Sequence, residues 1–169
     1  MAIETESGDV RGAGCGQSRS PRGPRSRYDH RKAVRVLSWV FAAGVLVSIV
    51  HYGDNYLNYV DYPQPAGGLN PPPNAILGAW ILLTTAGVAG YLLFRRAPSN
   101  LAVALVAVYS GSGVVGIAHY LVPGAISMPW WRQAHVAADI ACGLALLSFA
   151  VWAVLVRDSN DVRAPRSRS

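Results

Sequence analysis

The stretch "VLSWVFAAGVLVSIVHYGDNYLNYVDYPQP", residues 36–65, decides how the chain is read. Its first half carries no charge and is apolar enough for a membrane interior. Its second half holds one histidine, two aspartates, two asparagines and four tyrosines, with no lysine or arginine. A solvated loop would be richer in lysine, serine and glutamate. If one helix runs through both halves, His51, Asp54, Asn55 and Asn58 recur at offsets of zero, three, four and seven, which is one helical face. Tyr52, Tyr56 and Tyr59 fall on an adjoining face. The expectation is an apolar helix with an amphipathic extension.

Three further segments match the first in oiliness. Ala75 to Phe94, Leu101 to Val122 and Val136 to Val156 join Ala33 to His51 as runs close to the ~20 residues that cross a bilayer's hydrocarbon core. Apart from Arg35, near the start of the first run, none has a lysine or arginine. With 51% hydrophobic and 14% charged residues in a 169-residue chain, a typical soluble domain is excluded. The fold class expected is all-α: a four-transmembrane-helix bundle with helices at about 33–59, 74–95, 99–122 and 131–156 inside a membrane domain spanning 31–157.

Positive charge orients the bundle, because basic flanks are retained on the cytoplasmic side. Eight basic residues precede the first helix or lie in its first turn, Arg95 and Arg96 lie between the second and third, and four follow the last, leaving Arg132 alone on the opposite side. Both termini are therefore expected in the cytoplasm of a multi-pass cell-membrane protein, N-in/C-in. The segment 1–30, rich in Gly, Ser, Pro and Arg, buries too little apolar surface to offset the entropy of ordering and is expected to be disordered. With the short tail 158–169 it is read as a topology signal that attracts anionic lipid headgroups, and no nucleic-acid partner is expected. Cys15 and Cys142 lie too far apart in chain and compartment to suggest a disulfide.

The connections follow from their residues. "PQPAGGLNPPP", residues 63–73, cannot be helical. "RRAPSN", residues 95–100, is a tight turn in which Ser99 or Asn100 caps the third helix. Trp130 and Trp131 suit an aromatic belt. "GSGVVG", residues 111–116, satisfies a dinucleotide fingerprint, but it lies inside a span with no preceding strand. It is read instead as packing: Ser112 with Gly116, and Ala86 with Gly90, are small residues four apart that admit a neighbouring backbone in the bundle or in a homo- or hetero-oligomer.

The chemistry concentrates at one end. Apart from His30, every histidine maps to the outer quarter of the bundle, as do Asp54, Asp61 and Asp139, the only acids outside the cytoplasmic segments. A carboxylate in the hydrocarbon core costs on the order of 2.5–3.5 kcal/mol, so Asp139 is expected to face inward and to have a partner among His51, His119, His135, Arg132 or a bound cation. The candidate site is His51, Asp54, His119, His135 and Asp139, supported by Asn55, Asn58, Tyr120 and Arg132. Three chemistries fit these residues. A divalent metal would find nitrogen and oxygen ligands. A haem would need two axial histidines at matching depth, with only three candidates and no attachment motif. A His/Asp pair could shuttle a proton on a small protonatable or lipid-like ligand. A bland reading stands beside them, in which His135 and Asp139 simply bond each other along one helix and the chain is a structural subunit of a membrane complex.

Four spans with histidines and acids gathered toward one leaflet resemble the EXPERA group, the emopamil-binding and sterol-isomerase-like membrane proteins. That likeness is architectural, covers about residues 33–156, and implies a lipid- or isoprenoid-modifying activity without assigning it to particular residues. The segments "HYGDNYLNYVDYPQP", "AHYLVPG" and "HVAADIACG" resemble a small bacterial family of four-helix integral membrane proteins, which implies a fold and no activity.

Overall fold

A computed structural model describes residues 29–64 and 70–161, with side chains through Val156. The expected disorder of residues 1–28, and Cys15 with it, lies outside the described residues. Four helices form the bundle: α1, His30–Leu57; α2, Pro73–Arg96; α3, Asn100–Val114; and α4, Trp130–Asp161. With the helical continuation of α3 to Leu121, all four are long and apolar enough to cross a membrane. No strand occurs among the described residues.

Local chemistry sets the ends. Asp29 caps α1 by accepting from the Lys32 amide at 3.2 Å. Pro73 opens α2, where its missing N–H costs nothing. Ser99 caps α3 by accepting from the Ala102 amide at 3.1 Å. Two boundaries differ from expectation. α1 stops at Leu57 and yields to a short 3-10 turn, Tyr59–Asp61, while α4 runs on to Asp161 rather than ending near residue 156.

The third span departs most. A uniform α-helix over 99–122 was the expectation, but beyond Val114 the chain tightens into a 3-10 helix, Val115–Leu121. Pro123 supplies a reason: its ring would collide with the His119 carbonyl if the α-helix continued, and it pushes Val122 to extended geometry. Gly124 then takes the left-handed φ of 89° that turns the chain toward α4.

Apolar residues cover the outside as well as the core. Trp39, Leu46, Leu82 and Leu155 are all more than 60% exposed, which is the surface of a bundle solvated by lipid. Inside are two apolar clusters. One, toward the chain termini, contains Leu37, Phe41, Phe94, Tyr109, Leu146 and Phe149. The other, beneath the opposite loops, packs Tyr62, Ala125, Met128 and Val136 with Ile140 against them.

The close approaches fall on glycines. Gly90 meets the α3 backbone as expected, whereas its companion is Gly87, whose added Cβ would strike the Tyr109 ring; Ala86 is only half-buried beside it. Between α3 and α4 the tightest contact joins Gly113 and Gly143, where an added Cβ would run into the Asp139 and Ser110 carbonyls respectively. Ser112 is buried and folds its hydroxyl onto the Tyr109 carbonyl. Gly113→Ala should therefore lower the thermal midpoint in detergent by the equivalent of about 1–3 kcal/mol, the usual cost of overpacking. Gly111→Ala, with open space around it, should be neutral or raise stability by up to about 1 kcal/mol.

Candidate functional site

Alternating helix directions bring the end of α1, the start of α2, the end of the third span and the start of α4 to the end of the bundle opposite the described termini. His51, Asp139, His119 and His135 meet there. His51 Nδ1 lies 2.8 Å from Asp139 Oδ2, and both residues are at most 2% exposed. This pair crosses from α1 to α4. The helix-internal His135–Asp139 bond of the bland reading is not what Asp139 makes, since its carboxylate serves His51. The Gly113–Gly143 contact brings the α3 backbone against the Asp139 carbonyl and fixes α4 at that depth.

The other two histidines surround His51. Ring centroids lie 5.4 Å away for His119 and 5.6 Å for His135. His119 Nε2 is 3.4 Å from Asn55 Nδ2, so Asn55, on the His51 face of α1, orients the neighbouring histidine. Among the described residues neither nitrogen of His135 has a hydrogen-bond partner, although Nε2 stands 3.5 Å from Asp54 Oδ2. His51 Nε2 is likewise buried without a partner.

Asp54 belongs to a second, adjoining network. It accepts from Arg132 Nε at 3.0 Å, from the Tyr62 hydroxyl at 2.5 Å and from Asn58 Nδ2 at 2.7 Å. Arg132 also donates to Asp61 at 2.9 Å and lies over the Tyr62 ring, 5.1 Å from its centroid. Its guanidinium thus straps the loop after α1 to the start of α4. Burial and the adjacent Asp54 carboxylate push the Tyr62 phenol well above the ordinary tyrosine range, so its O–H stays a donor. Tyr120 does not join either network; it turns away and donates to the Gln133 carbonyl at 3.3 Å.

Several participants gave no advance signal. Tyr62 stood among four tyrosines, and nothing in the spacing separated it from the rest. Tyr52 donates to the Ser112 carbonyl at 2.7 Å, tying α1 to α3 just below the site. Deeper still, Trp80 donates to Ser48 at 3.2 Å, and Ser48 meets the Tyr109 hydroxyl at 3.3 Å.

Beside His51 is a cavity of about 430 Å³, within the size range of small-molecule sites. The 3-10 segment forms one wall. With three residues per turn its side chains stack in rows three apart, and two rows line the cavity: Val115, Ala118 and Leu121, and Gly116, His119 and Val122. Ile117 and Tyr120, in the third row, do not. α1 contributes His51, Tyr52 and Asn55, and the residues before α2 contribute Asn70 and Pro71. Gly116 matters because its absent side chain leaves room near the imidazole: a Cβ there would sit 3.6 Å from His51 Cε1 and 3.1 Å from Ile140.

Among the described residues no group of three or more His, Cys, Asp or Glu is arranged to hold a metal ion. No protein-family model, curated protein or solved structure matches the chain. Fold and site together define a four-helix membrane-spanning protein with a buried histidine–carboxylate pair beside a cavity. Replacing Arg132 by Met should leave Asp54 without its cation and cost about 3 kcal/mol. Chymotrypsin should then cut the loop after α1 faster than in the parent protein, while Asp61→Asn, at an exposed partner, should change cleavage little.

Proposed function

We propose that the protein binds a small, hydrogen-bonding ligand in this cavity, at the extracytoplasmic leaflet, with His51 as its polar anchor. The supporting observation is His51 itself. Its Nδ1 is held by Asp139, and its Nε2 is buried and, among the described residues, unpartnered, on a residue that lines the cavity. A buried polar atom without a partner costs about 1–3 kcal/mol, and a ligand's polar group would relieve that cost. Asp139 fixes the ring's orientation through that hydrogen bond. The leaflet assignment rests on the basic residues flanking the opposite ends of the spans.

The ligand reading fits better than the metal reading. A carboxylate behind a histidine is also how metal-bound imidazoles are oriented. Here, however, Asp54 is neutralised by Arg132, whose cation stands within the same polar layer.

Organic extraction and mass spectrometry of purified protein provide the test, with elemental analysis of the same samples. A small lipophile near one per chain is expected in the parent protein and should be lost in Ala118→Phe, which fills the cavity from its wall, and in His51→Phe. Equal content in all three samples would sink the reading. Stoichiometric metal in the parent, lost on Asp139→Ala with His135→Ala, would replace it with the metal form.

A further inference from the structure

Resting on that reading, we infer the chemical class of the occupant: an uncharged lipophile whose head is a phenolic ring. Three independent features of the cavity point to it.

The first is the inventory of donors and acceptors. The three tyrosines of the lining have already spent their hydroxyl protons: Tyr52 on the Ser112 carbonyl, Tyr59 on Asn70 Oδ1 at 2.7 Å, and Tyr62 on Asp54. Among the described residues, His51 Nε2 is the buried, unpartnered side-chain atom that belongs to this lining. With Nδ1 donating to Asp139, Nε2 of the neutral imidazole carries a lone pair. It therefore calls for a ligand that donates.

The second is charge. Among the described residues, no arginine, lysine, aspartate or glutamate lines the cavity; Asp139 stands behind His51, and Asp54 is bound to Arg132. An ionised carboxylate, phosphate or ammonium would enter without a facing counter-ion, at a large desolvation cost. The head is therefore neutral.

The third is ring geometry. Trp80, Tyr52, His51, His119 and Tyr62 form an unbroken arc of ring contacts, with successive centroids 5.9, 5.0, 5.4 and 5.3 Å apart. Four of these five residues line the cavity. Such an arc offers faces and edges at the spacing that aromatic rings prefer, and a phenol combines a ring with an acidic O–H donor. The rest of the wall suits its tail. Val115 and Leu121 line the cavity and are 58% and 79% exposed, so they offer apolar surface to a lipid-like tail.

The test uses the full chain, ¹⁵N-labelled at histidine, in phosphatidylcholine nanodiscs at neutral pH. The probes are p-octylphenol, p-octylcyclohexanol, p-octylbenzoate and p-octylbenzylamine, scaled to their partition into lipid. The His51 Nε2 resonance, assigned by its loss in His51→Gln, should shift with p-octylphenol at least about tenfold below the concentration needed for the other three. Ala118→Phe should abolish the shift while the His51–Asp139 resonance pattern stays intact, which separates a filled cavity from a misfolded one. Equal or tighter binding of the benzoate or the amine would overturn the neutral head, and equal binding of the cyclohexanol would overturn the ring, both leaving the ligand site standing. Silence of His51 toward all four probes would overturn the class and the ligand site together.

Discussion

The hydrogen bond between His51 and Asp139 is the constraint around which the upper half of this bundle is arranged. A carboxylate at that depth needs a partner, and the partner comes from a helix whose contact point is 88 residues away in sequence. Satisfying it sets the rotation of α1 and α4 about their axes. Beside it, α3 stands close enough to α4 for Gly113 to approach Gly143 and the Asp139 carbonyl. The apolar clusters above and below then seal the pair from both sides. Lipid offers no hydrophobic drive between helices, so these polar and small-residue contacts carry more of the specificity than they would in water.

The site is two networks laid side by side with different tasks. Around Asp54 every strong donor is matched: Arg132, Tyr62 and Asn58 converge on one carboxylate, and Arg132 reaches on to Asp61. Such a fully satisfied cluster is rigid, and it holds the loop after α1 in place. Around His51 the accounting is incomplete, with unpartnered nitrogens on His51 and His135. That incompleteness beside a cavity is what the proposed ligand reading rests on. His119, on the 3-10 segment, touches both, with its ring centroid 5.4 Å from that of His51 and 5.3 Å from that of Tyr62.

Much of this was legible beforehand. The run from Ala33 to His51 and its three counterparts announced four spans, because a bilayer demands length and oiliness that composition displays directly. The face shared by His51, Asp54, Asn55 and Asn58 was readable from helical spacing, and all four make contacts in the site. Pairing was less legible. Sequence proximity favoured His135 for Asp139, yet distance along the chain carries no information about which side chain a neighbouring helix presents. Tyr120 adjoins His119 in sequence and still points elsewhere, because its 3-10 row faces away from the cavity.

By itself, then, the sequence determined the number of spans, their alternation and the depth at which the titratable residues gather, since each follows from local composition and the fixed rise of a helix. Tertiary structure alone decided who meets whom. It chose His51 for Asp139 and Arg132 for Asp54, swapped Gly87 for Ala86 at the α2–α3 contact, and opened a cavity beside Gly116. Those outcomes depend on helix rotation and on the tightening of one span ahead of Pro123, and both are settled by packing among elements distant in the chain.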